Sequence, residues 1–436
     1  MKATQGRSAD TASVEGPLRL RDALGPGLIT GASDDDPSGI ATYAQAGARF
    51  GFELGWTLLL TYPLMVVIQA ISARIGRTTG RGIAGNLRRH FPPWVLQGTA
   101  ALLCLANTIN IGADLGAMAE ATRLLIHPLP AWAWVIIFGV VCAGAQIFVH
   151  YLRYVRILKW LTLSLAAYFA VLFTIHIHWL AVLKGLVWPQ LSLNPQLWQM
   201  VVALFGTTIS PYLLFWQASM EVEDTKLNAQ RQPLLRDPRQ GAFALARIRL
   251  DTLIGMGLSN LVGLAILVTT AATVRHGGIH DIHSAAQAAL ALRPLAGEFA
   301  FALFAMGIVG TGLLAVPVLA GSAAYALGEA RRWPVGLGRR FGKAKAFYAS
   351  IAVMTLMGAA ANAFGLNPIS ALVWAAVING VVAVPVMALV MQMARDGKVM
   401  GKFTVSGPWM VLGWLATALM ALAAVAMVVT AFIGGG

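Results

Sequence analysis

The sequence predicts an all-α membrane protein: two inverted five-helix repeats plus an eleventh helix, with helices 1 and 6 broken. Three observations carry that expectation. First, 58% of the 436 residues are hydrophobic and only 11% are charged, whereas a soluble domain carries roughly a quarter charged residues. The mean hydropathy of +0.70 agrees. Second, Lys and Arg alternate between the two sides of the expected membrane. Third, proline-interrupted polar stretches recur in the first and sixth apolar segments. Intrinsic disorder is excluded by the apolar content. The net charge of +14 sits between long apolar runs rather than on one soluble face, so no nucleic-acid partner is implied.

Taken in order, residues 1–23 form a polar tail without the apolar core of a signal peptide. A span needs about 20 largely apolar residues. Eleven such segments follow: 24–46, 52–73, 94–120, 131–149, 157–178, 198–220, 251–274, 298–328, 346–365, 368–394 and 408–433. The core is 24–394, with repeats at 24–178 and 198–394, and 408–433 is the eleventh helix. Connections 221–250 and 329–345 are basic and contain Pro or Gly, as loops do.

With the N-terminus in the cytoplasm, 27 of the 32 Lys and Arg fall on inner segments. Only Arg49, Arg123, Lys184, Arg275 and Arg293 fall outside. A miscounted helix would scramble that alternation. The count predicts a multi-pass protein of a bacterial inner (plasma) membrane, with the C-terminus outside. Trp94, Trp132, Trp134, Trp179 and Trp188 stand near span ends as interfacial anchors. Cys104 and Cys142 lie inside apolar runs, so neither a disulfide framework nor a Cys-based zinc site is expected.

Ionisable residues at membrane depth are costly and mark functional sites. Here they are Asp34, Asp35 and Asp36 in the first span and Asp114 in the third. The first span reads GPGLITGASDDDPSGIATYAQAG. Pro37 removes a backbone donor and clashes with the preceding turn, and Gly31 and Gly39 weaken the helix further. The sixth, FGTTISPYLLFWQASMEVED, is interrupted by Pro211 after Thr207, Thr208 and Ser210. Repeats of odd span number run in opposite directions, so these two breaks are symmetry mates. Paired broken helices in inverted repeats point to a transporter site near the midplane. Carbonyls freed beside a carboxylate form an oxygen-rich cage suited to a hard cation. A single proline is otherwise an ordinary kink, and a lone buried Asp an ordinary hydrogen-bonded group. It is the conjunction that points to a site.

GPGLITGASDDDPSG, then IATYAQAG, NTINIGADLGAM in the third span and GTTISPYL in the sixth resemble the Nramp divalent-metal transporters. The resemblance runs over essentially the whole chain. It implies the LeuT-type fold and divalent-metal transport by alternating access, the metal being cargo and no cofactor being needed. The family's Asp-Pro-Gly-Asn falls on Asp36, Pro37, Ser38 and Gly39, and its Met-Pro-His on Ser210, Pro211 and Tyr212. The ligating carbonyls fall on Ser33 and Thr207. Asn379 and Gly380 in the tenth span sit where that helix faces the site, either as ion contact or as an interior hydrogen-bonding pair. Ser210 removes the thioether that selects soft metals, and Gly39 leaves room for a partly hydrated ion. Both departures resemble the divergent Nramp-related branch associated with Mg²⁺, with Mn²⁺ also suited to oxygen ligands. Asp34, Asp35 and Ser38 are expected to act through water. The family's proton relay is also depleted: Ala117 stands three residues after Asp114, and AFYASIAVMTLMGAAANAFG in the ninth span holds no Lys, Arg or His. Weak proton coupling or none is therefore expected.

Lesser signals are read as structural. Asn107 and Asn110 tie helices together. His276, His280 and His283 lie in a solvated outer loop, and His176 and His178 at the interface. Glu221, Glu223 and Asp224 form a solvated helix end or attract cations to an exit. No phosphate loop, nucleophile elbow or HExxH motif is present, so an enzyme is not expected. The competing functions are a proton-coupled Mn²⁺/Fe²⁺ importer, an amino-acid carrier on the same fold, and a membrane metal sensor. Three aspartates would repel a substrate carboxylate, and no soluble output domain is visible. The expected partners are the divalent ion and the lipid bilayer, with no protein partner.

Overall fold

A computed structural model describes residues 25–126, 128–148, 163–228, 230–365 and 367–434. The N-terminal tail, the basic connection Arg153–Lys159 and the start of the expected fifth span lie outside them. Among the described residues, nine helices are long and apolar enough to cross a membrane, and all regular structure is helical.

The first span is two helices, α1 (Pro26–Asp34) and α2 (Pro37–Phe50). Next come α3 (Gly55–Thr79), α4 (Pro93–Arg123) and α5 (Ala131–Phe148). Only Leu163–Leu172 of the fifth span is described as helix. The sixth span is likewise two helices, α6 (Pro195–Thr208) and α7 (Pro211–Leu227). Then follow α8 (Gly241–Thr270), α9 (Ala300–Arg331), α10 (Lys345–Ala361), α11 (Pro368–Arg395) and α12 (Pro408–Gly434). The seventh span starts ten residues earlier than expected, because its first turns pack Ala244 on Leu234 and Phe403, Ile248 on Ala70 and Ala73 of α3, and Arg247 on Glu221 of α7.

Prolines alone do not explain the two breaks. Pro63, Pro317 and Pro385 all lie inside continuous helices. They follow Tyr62, Val316 and Val384, whereas Pro37 and Pro211 follow Asp36 and Ser210. Asp and Ser compete for backbone groups and favour caps over helix interiors. A residue before proline is also pushed toward extended backbone. Asp36 (φ −74°, ψ 169°) and Ser210 (φ −74°, ψ 134°) take that conformation, and each proline then occupies the first turn of the restarted helix.

Packing follows two-fold logic. The second helix of each broken span lies along the helix that opens the other repeat's next span: α7 on α3, and α2 on α8. The first halves do the same, α6 on α3 and α1 on α8. Helices α4 and α9, equivalent in the two repeats, pack on each other. Small residues set the closest approaches. A Cβ on Gly206 would stand 2.1 Å from the Ala376 carbonyl oxygen in α11, and one on Gly31 2.2 Å from that of Gly255 in α8. Outward faces carry lipid-facing side chains such as Leu105, Phe148 and Phe432. Trp94, Trp132, Trp179 and Trp188 are exposed as anchors should be, but Trp134 is half-buried, stacked on Phe138.

Candidate functional site

The two breaks meet at the centre of the bundle. At the first, α1 ends on Asp34 and α2 restarts at Pro37, so carbonyls at the end of α1 and amides at the start of α2 lose their helical partners. Asp36 takes one such amide: Gly39 N–H donates to its Oδ1 at 2.6 Å. Its Oδ2 receives the Asn110 amide from α4 at 3.1 Å and the Tyr212 hydroxyl from α7 at 3.4 Å. That hydroxyl also lies 3.2 Å from the Ser33 carbonyl oxygen. Tyr212 thus reaches the free carbonyl and the carboxylate at once, where a bound cation would compete with it.

At the second break, the Ser210 hydroxyl donates back to Gly206 O (2.7 Å) and Thr207 O (3.1 Å). Its lone pairs stay available beside the Thr207 carbonyl. The Thr207 hydroxyl stands 3.0 Å from where a Gly39 Cβ would be, which brings α6 against the start of α2. A Cβ there would need the Thr207 hydroxyl to give by a few tenths of an ångström. Ser33, Asp36, Thr207, Ser210, Tyr212 and Asn379 are all buried, so the centre is closed to both sides in this conformation.

Two expected residues face elsewhere in part. The Ser38 hydroxyl donates to the Leu372 carbonyl of α11 at 2.9 Å and ties the first span to the tenth. Asn379 donates to Asn110 Oδ1 at 3.2 Å, while its own Oδ1 is buried without a partner. Asp34 and Asp35 do not join Asp36: both lie on Ser259 of α8, at 2.6 and 3.0 Å.

Asn110 was undervalued as a simple helix tie. Its amide bridges Asp36 and Asp114, the latter at 3.2 Å. The signal was present, since positions 110 and 114 are one turn apart and share a helix face. Asn107 does tie helices, donating to Leu319 O and Ser322 Oγ of α9. The acidic end of the sixth span is not solvated. Glu221 is fully buried and pairs with Arg247 of α8 at 2.5 Å, while Glu223 accepts from Tyr325 at 3.1 Å. Arg247 also lies 3.7 Å from Asp224. The partners come from distant spans, which no local reading of 221–224 reveals. His276, His280 and His283 are exposed.

Asp34, Asp35, Asp36 and Asp114 are all buried, and none forms an ion pair with Lys, Arg or His among the described residues. Buried charge is tolerated when paired or when it coordinates metal. The polar groups named at the two breaks, a carboxylate, two carbonyls and a hydroxyl, are oxygens of the kind that suit a hard cation.

The Nramp family model, described as natural resistance-associated macrophage protein-like, matches residues 27–430. Acidiphilium cryptum has a protein named divalent metal cation transporter MntH, 27% identical over 420 residues, covering 93% of this chain and 89% of that one. The protein of the same name from Ralstonia nicotianae is 29% identical over 298 residues, and the match spans 66% of this chain and 64% of that relative. A solved manganese transporter from Eremococcus coleocola superposes with a TM-score of 0.73 at 17% identity, over 96% of this chain and 89% of that one. Mhp1, a nucleobase-cation-symport-1 family transporter, gives 0.58 at 14% identity, over 94% and 93%. At those identities the structures establish the fold, which is the LeuT type. With its broken first and sixth helices and a family match across nearly its whole length, this multi-pass membrane chain belongs to the Nramp family.

Proposed function

We propose that this Nramp protein carries divalent metal cations by alternating access, with Mg²⁺ preferred over Mn²⁺ and Fe²⁺ and with weak proton coupling or none. What supports the reading is buried oxygen at both breaks: Tyr212 reaches the Asp36 carboxylate and the Ser33 carbonyl at the first, and the Ser210 hydroxyl lies on the Thr207 carbonyl at the second. Mg²⁺ parts with water reluctantly and takes oxygen ligands, while a thioether favours softer metals. The relatives named divalent metal cation transporters support the cargo class. Gly39 and Tyr212 bond Asp36 directly and Asn379 reaches it through Asn110, while the Ser38 hydroxyl is held by the Leu372 carbonyl beside them. In the cell the chain lies in the plasma membrane, N-terminus in the cytoplasm and C-terminus outside.

A proton-coupled Mn²⁺ importer is the second reading. The closeness of Asp36 and Asp114, both bonded to the Asn110 amide, favours it, because it sets two protonatable carboxyls near one another. Against it stand Ala117 and a ninth span without basic residues beyond Lys345 at its start.

Metal-resolved uptake into proteoliposomes tests the assignment. Asp36→Ala is expected to abolish flux of every divalent ion. Ser210→Met is expected to shift preference toward Mn²⁺ by about tenfold, the equivalent of roughly 1.4 kcal/mol. Unchanged selectivity in Ser210→Met would remove Ser210 from the ligand set.

A further inference from the structure

We propose that the groove between α4, α9 and α10 holds one anionic phospholipid, its headgroup at Arg331 and Arg332 and an acyl chain along the apolar walls. The leaflet it faces, the cytoplasmic one, follows from the orientation proposed above.

The groove encloses about 880 Å³, within the roughly 300–1,000 Å³ of ligand sites. Small side chains open it: Ala100 and Ala101 on α4, Ala330 on α9, Ala346 and Ala349 on α10. It runs from Gln97 to Thr108 along α4 and from Ala346 to Met357 along α10, about 16 Å at the helical rise per residue. The hydrocarbon of one leaflet is about 15 Å deep. Polarity is graded along that length. Inside the groove, the Thr108 hydroxyl donates back to the Cys104 carbonyl and the Ser350 hydroxyl to the Ala346 carbonyl, each at 2.8 Å. Those walls therefore turn an apolar surface to an occupant. Gln97, Arg331 and Trp333 all lie at one end. Trp94, exposed at the start of α4, stands at the same end, and tryptophans mark the headgroup level. An amphiphile fits this layout, whereas a soluble anion leaves the apolar length unused and a neutral lipid leaves the arginines uncompensated.

The charge at that end is unbalanced. Arg331 is the one charged residue lining the groove, and neither it nor Arg332 forms an ion pair among the described residues. The nearest acid along the chain, Glu329, is committed elsewhere: its oxygens accept the Gly82 and Gly85 amides at 2.9 and 2.8 Å. Arg332 is also the only non-glycine residue with a positive φ (61°) among the described residues. That left-handed turn folds Trp333 back, its amide donating to the Gly328 carbonyl at 2.8 Å, and glycine is what usually fills such a turn. An arginine there holds a backbone conformation costly for any residue with a Cβ, and it adds positive charge where Arg331 already stands. Basic pockets between membrane helices on the cytoplasmic side recognise anionic headgroups.

Native mass spectrometry of the purified full-length protein, titrated with phosphatidylglycerol and phosphatidylcholine of identical chains, tests this. Wild type is expected to bind one phosphatidylglycerol about tenfold more tightly than phosphatidylcholine. Arg331→Gln combined with Arg332→Gly is expected to remove that preference. Glycine suits the left-handed turn, so this variant is expected to melt no lower than wild type in lipid-free detergent, which separates lost binding from lost fold. Ala349→Phe fills the groove from α10 and is expected to weaken both lipids about tenfold. Arg395→Gln combined with Lys398→Gln removes the same charge from another inner segment and is expected to leave the preference intact. An equal loss in that control would overturn the proposal, by making the preference a property of net charge. So would a preference that survives the loss of Arg331 and Arg332, or a dimer that Ala349→Phe dissociates, which would assign the groove to a second copy of the chain. Binding is read in detergent, so its failure leaves the proposed orientation standing.

Discussion

At the scale of single residues, Asn110 shows how much the candidate site depends on a side chain with no charge. Its amide donates to Asp36 and Asp114, and its carbonyl accepts from Asn379. It holds one carboxylate oxygen of the ion cage in place and keeps two negative groups at a fixed spacing. Asn110→Ala removes both donations and leaves buried oxygens unsatisfied, a cost of about 1–3 kcal/mol for each. The KM for Mg²⁺ and Mn²⁺ uptake is expected to rise about tenfold, with a smaller rise for Asn379→Ala, since Asn379 reaches Asp36 only through Asn110. Initial rates against metal concentration check both. Equal effects from the two substitutions would mean that Asn379 contacts the ion itself. Asp36 and Ser210 were legible in the sequence because a residue before proline obeys a local rule. The ties Tyr212 makes to Ser33 and Asp36 were not, because they join residues nearly 180 positions apart.

At the scale of elements, the broken helices are held by opposing clasps. At the end of the first span that is cytoplasmic on the proposed orientation, Asp251 of α8 accepts from the backbone amides of Gly25, Gly27 and Leu28, at 2.9, 2.7 and 3.0 Å. A carboxylate at a helix N-terminus meets unpaired N–H groups and the positive end of the helix dipole. One turn away, Arg247 pairs with Glu221 of α7, and Thr30 of α1 hydrogen-bonds Gln217 of α7. Helix α8 therefore fastens α1 and α7 together. At the other end of the span, Asp281 binds Gln45 and Arg49 of α2, and the amide of Ile282 donates to Gln45 at 2.9 Å. Asp251→Asn keeps shape but removes the charge, weakening the inner clasp by about 1–2 kcal/mol. It is expected to raise the inward-open population about tenfold, measured as the labelling rate of a cysteine placed at Thr30 in a background lacking Cys104 and Cys142. Asp281→Asn is expected to lower that labelling rate, because it frees the opposite end. Changes of the same sign in both variants would show that the two clasps do not oppose one another. The helices themselves were readable from composition, and the breaks from Asp–Pro and Ser–Pro. The clasps were not, because Asp251 and Arg247 look like ordinary residues at a span's polar end until α1 and α7 are folded against them.

At the scale of the whole molecule, charge decides how the carrier is driven. Four carboxylates lie buried in the core with no basic partner among the described residues. On the orientation proposed above, most of the Lys and Arg face the cytoplasm, while the acidic groups of the core surround the proposed ion site. A divalent ion entering this core gains a counter-charge and moves down the membrane potential. The potential contributes roughly 2.3 kcal/mol per charge per 100 mV, and the ion's two charges double that. On the proposed mechanism this is the driving force for uptake without protons. With a potassium gradient and valinomycin setting the potential, Mg²⁺ and Mn²⁺ entry into proteoliposomes is expected to rise steeply as the lumen becomes more negative. A pH-sensitive dye trapped inside is expected to stay flat. Acidification in fixed proportion to metal entry would favour the coupled importer, with the Asp36 and Asp114 carboxyls as the proton carriers. A flat dye with entry indifferent to potential would mean that the empty carrier returns bearing compensating charge, and would direct attention to what neutralises Asp34 and Asp35 on the way back.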